Sequence, residues 1–284
     1  MSSHQVIEVG QIPIIKESVV DFWESIPRDW PNHKFDVMLS NELDQLFKNY
    51  ALEQRVEIQK IIDCGCGTGN PSIGLAESGY QVFCVDSDPN MVERFKINCS
   101  AANTDLRVIT SDWRDLNGEI LDNGPFDAAI CRGNSLIYAG CWERDAFIPQ
   151  VAEKAIKNSL KHIASVLKPG GLFYVDITSR IEYADLKPKF EFVGMRETDT
   201  HYVLIYWLND YKPETRTRRV HARRLFESKS TGQLEKVTEY MFTGYMLYHD
   251  ELQQLATDVG FSLVKAYPKV DSEWLYDVFL FSRG

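Results

Sequence analysis

The chain has no apolar run approaching the ~20 residues that a membrane-spanning helix needs, and no low-complexity tract or internal repeat. Its opening, Met1-Ser-Ser-His-Gln-Val6, lacks the charged and apolar regions of a signal peptide, so a cytoplasmic protein with no membrane partner is expected. Positive charge is in deficit. Against 41 Asp and Glu stand 31 Lys and Arg, a formal net charge of −10, which argues against nucleic acid as a partner. Histidine is scarce, at six residues, and Cys64-x-Cys66 has the wrong spacing for a zinc knuckle, so no metal site is expected. The six cysteines (Cys64, Cys66, Cys84, Cys99, Cys131 and Cys141) fall mostly in apolar, strand-like segments and read as buried free thiols. What remains is ordinary globular material: 284 residues, 44% apolar and 25% charged, enough for one large α/β domain or a domain carrying a sizeable insertion.

The most informative stretch is Ile61-Ile-Asp-Cys-Gly-Cys-Gly-Thr-Gly69. An apolar strand ends in Asp63, and glycines at alternate positions (Gly65, Gly67, Gly69) let backbone approach a ligand closely. The spacing is not the dinucleotide G-x-G-x-x-G, and no Gly-Lys-Ser/Thr follows, so a phosphate cradle is poorly supported. A second apolar run, Val82-Phe-Cys-Val85, ends in Asp86, placed to accept hydrogen bonds from ribose hydroxyls. The loop carries an acid and no cation, which suits a positively charged ligand. A dinucleotide site, or a glycine turn that merely packs, are the competing readings. Together the features are similar to the S-adenosylmethionine site of class I methyltransferases.

Strand and helix signals alternate through the middle of the chain, which predicts βαβ units and a parallel sheet. Strands are expected near 59–64, 81–85, 106–110, 126–131 and 171–177, and helices near 71–79, 89–101 and 145–167. A helix near 250–259 and extended runs at 261–267 and 274–282 predict a hairpin closing the sheet edge. The fold class is therefore α/β, a Rossmann-like seven-stranded sheet with an antiparallel β lid. Residues 59–184 and 249–284 are expected to form the cofactor domain, 1–58 an N-terminal helical cap with an amphipathic helix near 38–52, and 185–248 the antiparallel lid.

Further motifs follow in the order such an enzyme needs. Ser111-Asp112-Trp113 lies after the third strand, where either Asp112 accepts from an adenine amine with Trp113 packed on the ring, or Trp113 is core and Asp112 a helix cap. Arg132-Gly-Asn-Ser135 follows the buried strand Phe126–Cys131, at a strand end where ligands of open α/β sheets bind. The segments Ile130-Cys-Arg-Gly-Asn-Ser135, Lys161–Leu172 and Val175-Asp176 resemble their counterparts in glycine N-methyltransferase and the glycine/sarcosine N-methyltransferases. The resemblance implies S-adenosylmethionine as cofactor and S-adenosylhomocysteine as product. It places Asp63, Gly65, Cys66 and Gly67 along the methionine part, Asp86, Ser87 and Met91 at the ribose and adenine, and Asp112 and Trp113 at the adenine edge. Cys131 and Gly133 would give backbone contacts, Tyr138 stands where relatives can place a histidine, and Trp30 matches an aromatic over the cofactor, with Phe22 and Trp23 near another. Asn134 would touch the acceptor and Tyr245 face the transferred methyl.

Two positions depart from that pattern. The arginine that clamps the substrate carboxylate in the family is Thr178 here, and no arginine follows Trp30, only Lys34. Arg132 and Arg180 are the replacement candidates. The run Arg216-x-Arg-Arg-x-His-x-Arg-Arg224 is the one basic cluster; strand alternation would aim Arg216 and Arg218 one way and Arg219, His221 and Arg223 the other. A solvated strand, an anionic-substrate contact or a homo-oligomer contact would each explain it. The resemblance implies N-methylation of a small amino acid or amine. An O-methyltransferase using His249 or a tyrosine as base is the alternative, and a non-catalytic binding protein a third.

Overall fold

The computed structural model describes residues 12–16, 31–112, 118–139, 148–184, 186–268 and 276–284, without side chains for 31–39. Five strands carry the parallel core: β2 (Lys60–Cys64), β3 (Gln81–Asp86), β4 (Arg107–Thr110), β5 (Phe126–Cys131) and β6 (Leu167–Ile177). With β11 (Phe261–Tyr267) and β12 (Asp277–Arg283) they make a seven-stranded sheet in the order β11-β12-β6-β5-β2-β3-β4. Only β12 runs antiparallel to its neighbours, as the expected terminal hairpin requires.

A parallel sheet is buried on both faces, and its strands read as continuous apolar runs. All six residues of β5 are buried. Alternation sorts them: Ile62, Phe83, Ala129, Phe173 and Val175 face one core, and Ile61, Cys84, Ala128, Leu172 and Tyr174 the other. Helix α5 (Pro149–Val166) covers the first core with Ile156, Leu160 and Ile163, beside α7 (His249–Asp258). The second core is closed by α1 (Pro31–Gln54) through Leu43 and Phe47, by α2 (Ser72–Glu77) through Leu75, and by α3 (Pro89–Ala101) through Phe95. The Asp88 side chain caps α3 by accepting from Asn90 N at 2.8 Å, with Pro89 opening the helix. Two short helices, α4 (Glu119–Asn123) and α6 (Arg180–Ala184), were not expected.

The second sheet contains β7 (Lys189–Glu197), β8 (His201–Lys212), β9 (Thr217–Ser228) and β10 (Leu234–Tyr245), all antiparallel neighbours. Its strands are longer than the apolar patches predict, so all of the basic run after Arg216 lies inside β9. An unexpected fifth strand, β1 (Ile14–Lys16), pairs parallel with β10. Gly244 lets this sheet descend on the first: a Cβ there would lie 2.8 Å from Ile137 Cδ1 and from Tyr138 Cε1.

Candidate functional site

The glycine loop is built by backbone bonds. Gly65 N and Cys66 N both donate to Val85 O, at 2.8 and 3.0 Å, which ties the loop to the end of β3. Gly67 N donates to Asp86 Oδ2 at 2.8 Å and Asp88 N to Oδ1 at 2.9 Å. Gly67 and Gly69 both hold positive φ, 52° and 119°, yet their roles differ. A Cβ on Gly67 would meet nothing within 4 Å, whereas on Gly69 it would press on Ile73 Cδ1 at 2.8 Å. Gly67 leaves an open cradle, and Gly69 serves the packing of α2.

Three desolvated carboxylates rim this cradle. Asp63, at the end of β2, accepts from Ser72 Oγ at 2.5 Å, and burial pushes its pKa up to about 6. Asp176, at the end of β6, accepts from Asn134 N at 2.5 Å and is pushed by burial to about 6 as well. Burial also raises Asp86. The Arg132 guanidinium opposes both rises and donates Nη1 to Asn70 O at 3.4 Å. It is thus already the counter-charge of two acids, which weakens its candidacy as a substrate clamp.

The other predicted residues spread around this rim. Ser87 is exposed just past β3, and Met91 is buried in the first turn of α3. Asp112 is half-buried beyond β4, beside Ser111, whose N–H donates to Asp86 O at 2.9 Å. Cys131 is buried and its thiol is pushed up by desolvation, while Gly133 follows it exposed, with φ 71°. Trp23, Trp30, Trp113 and Phe22 lie outside the described residues. The cysteines among the described residues are all free and buried, and Cys141 lies outside them.

The residues expected to touch the acceptor are engaged within the protein. Asn134 sits in the left-handed region with φ 61° and is fully buried. Its Nδ2 donates to Thr178 Oγ1 at 2.8 Å, and its Oδ1 accepts from Thr178 N at 2.9 Å. The amide clips the end of β5 to the end of β6, and Thr178, the supposed site of a missing arginine, is its partner. Tyr245 donates its hydroxyl to Glu251 Oε1 at 2.8 Å, and burial raises its pKa further from neutrality. His249 is buried, with Nε2 3.1 Å from Thr178 O and 3.3 Å from Asp277 Oδ2. Arg180 Nε donates to its Nδ1 at 2.5 Å, so the proton is on Nε2, and desolvation lowers its pKa. Arg180 itself is largely exposed, reaching Asp250 at 3.5 Å; with Tyr183, Tyr248 and His249 it lines a cleft of about 330 Å³.

Strand alternation holds for the part of the basic run inside β9, from Arg218 onward, and does not extend to Arg216. Arg218 points inward, while His221 and Arg223 share Glu239 on the other face, at 3.2 and 2.6 Å. Arg216 precedes the strand, stacked on Tyr245 and Tyr248 and paired with Glu251. Arg218 donates Nη1 to Tyr138 Oη at 2.8 Å and Nη2 to Asn209 Oδ1 at 3.1 Å. Sequence reading gave it a face and left its run open between a solvated strand, an anionic-substrate contact and an oligomer contact. The alternation was the available signal. Its tyrosine neighbours are scattered over the chain and gave none.

The chain's relationships agree with this geometry. A methyltransferase-domain family model matches residues 61–171. The glycine N-methyltransferase of Mus musculus is 32% identical over 122 residues, covering 41% of this chain and 39% of that protein. The glycine/sarcosine/dimethylglycine N-methyltransferase of Actinopolyspora halophila is 25% identical over 249 residues, covering 87% of this chain and 38% of that protein. Each alignment thus spans about two fifths of the relative's length. A sugar N-methyltransferase from Streptoalloteichus sp. has a TM-score of 0.66 and 14% identity, covering 100% of this chain and 98% of that chain. This chain has the fold of the class I S-adenosylmethionine-dependent methyltransferases, and the methyltransferase-domain match covers its central residues 61–171. The site fits their cofactor: an open glycine cradle rimmed by desolvated carboxylates suits a ligand bearing a sulfonium and an ammonium.

Proposed function

We propose that this methyltransferase acts on the nitrogen of a small-molecule amine or amino acid. Bound S-adenosylmethionine supplies a methyl group already activated by its sulfonium, so the protein's task is to orient the acceptor, exclude water and stabilise charge. Gly67 and Gly133 would line the cofactor, Asp86 and Ser87 its ribose, and Met91 and Asp112 its adenine. The second sheet would form a lid over the acceptor. Nitrogen attacks as the neutral amine; its C–N bond forms as the C–S bond breaks, and the extra proton then leaves to water. No general base is needed for that step, whereas a hydroxyl acceptor requires one.

The state of His249 carries this reading. It is the base that an O-methyltransferase would use, but its one available nitrogen lone pair accepts from Arg180. Tyr245 is no better placed, since its hydroxyl already donates to Glu251. The names of the relatives point the same way, to glycine, sarcosine and sugar nitrogen. Methyl-labelled S-adenosylmethionine offered with primary amines, amino acids and the matching hydroxy acids tests the proposal. Label should enter amines only; label in the hydroxy acids would overturn it.

A further inference from the structure

Arg218 is the one buried cation described here that has no acidic partner of its own. Its residue is 7% exposed, and among the described residues no carboxylate pairs with it. The groups it hydrogen-bonds, Tyr138 Oη, Asn209 Oδ1 and the Tyr211 hydroxyl, are neutral, and its Nε–H is buried with no hydrogen-bond partner. The titratable groups that bear on it most strongly are all phenols: Tyr138, Tyr211, Tyr276 and Tyr183. Taking a guanidinium out of water without a counter-ion is costly, and proteins rarely leave such a charge uncompensated. Every other inward arginine of the region is compensated: Arg216 by Glu251 and Arg132 by Asp63 and Asp176.

The enclosure has a definite place. Tyr138 follows β5, Tyr183 lies in α6 just after β6, and Tyr276 immediately precedes β12. Arg218 and Asn209 face them from the second sheet. The cation therefore hangs from that sheet above the ends of β5 and β6, where Tyr276 feels both its charge and that of Asp176. A small zwitterionic or acidic molecule between the two would meet opposite polarity at its two ends.

We propose that Arg218 is the receptor for an acidic group, a carboxylate by preference, on the methyl acceptor. This rests on the small-molecule acceptor proposed above, and it assigns the anion-binding role to the second sheet instead of to Arg132 or Arg180. The planar guanidinium still has Nε–H to offer, and a carboxylate accepting from it and from a neighbouring N–H would make the paired contact that Lys cannot reproduce. The phenols around it are held neutral by burial and add no negative charge, and Tyr211 donates its own hydroxyl to Glu182 Oε2 at 3.4 Å.

The test uses the full chain loaded with S-adenosylhomocysteine and probes that contain no nitrogen nucleophile. Acetate and phenylacetate, with acetamide and phenylacetamide as uncharged controls, are titrated calorimetrically into the wild type and into Arg218→Lys. The acids should bind the wild type at least tenfold more tightly than the amides, and Arg218→Lys should erase that preference while leaving cofactor affinity and melting temperature near wild type. Equal binding of acids and amides to the wild type would overturn the proposal without reference to any variant. An acid preference retained by Arg218→Lys would equally overturn it. Because no methyl transfer is involved, failure of the amine reading and failure of the anion site give different results. In turnover, Arg218→Lys should raise KM for an amino acid at least tenfold with little change in kcat, and leave KM for its amide unchanged.

Discussion

The two sheets bury charge of opposite sign and hold it by opposite construction. Along the ends of the parallel strands, Asp63, Asp86 and Asp176 are held by backbone N–H groups and a serine, the N–H on Asp86 coming from a short loop whose shape glycine dictates. In the second sheet, β9 presents Arg218 from a long antiparallel strand, held by side chains drawn from four separate segments. The first arrangement is local and therefore general to the fold. The second depends on long-range packing, so it can vary with the acceptor while the cofactor platform stays fixed.

Breaking the platform should have the largest effect. Asp86→Ala removes the carboxylate that accepts from Gly67 N and Asp88 N and, by our reading, from the ribose. A hydrogen bond to a charged group contributes about 1.5–3 kcal/mol, so losing one or two to the ribose should lower S-adenosylhomocysteine affinity about tenfold or more by calorimetry. Asn134→Gly keeps the left-handed backbone but strands Thr178 N–H and its hydroxyl. Denaturant unfolding should show a loss of about 2–4 kcal/mol. A loss confined to acceptor KM, with stability intact, would restore Asn134 to the acceptor.

Asp63→Asn separates stability from binding. A pKa raised in the folded state from 3.8 to about 6 gives stability that is present below pH 3.8 and lost as pH rises through about 6. The ligand-free variant should therefore gain about 1–3 kcal/mol at pH 7 and little at pH 4. Cofactor affinity should fall in the variant, and in the wild type it should weaken as pH drops through about 6 and the rim carboxylates protonate. The smallest effect belongs to the outer face of β9. Arg223→Ala breaks a partly exposed pair with Glu239 and should change stability by about 0–1 kcal/mol, with both ligand affinities unchanged.

The sequence made the platform legible because its determinants are local. Alternating glycines, an acid at each strand end and runs such as Phe126–Cys131 report the parallel sheet and its ligand edge directly. The second sheet was legible as a class only. Its antiparallel character showed in the aromatic alternation of Tyr202–Leu208. Strand β1, by contrast, has three residues and a register set wholly by β10. Asn134 reads from sequence as a ligand contact, and its partnership with Thr178 becomes visible only when β5 and β6 lie side by side. Thr178, where the resemblance expects an arginine, supplies the hydroxyl that the amide uses. Arg218 lay in a run whose charges look alike in sequence, and burial alone distinguishes it from Arg219 and Arg223.

The central claim is nitrogen transfer without a base, and serine, which offers an amine and a hydroxyl in one molecule beside a carboxylate, tests it most directly. After incubation with S-adenosylmethionine, mass spectrometry of the product should find N-methylserine alone, with a rate that rises with pH as the amine loses its proton. O-methylserine as the product would contradict the account.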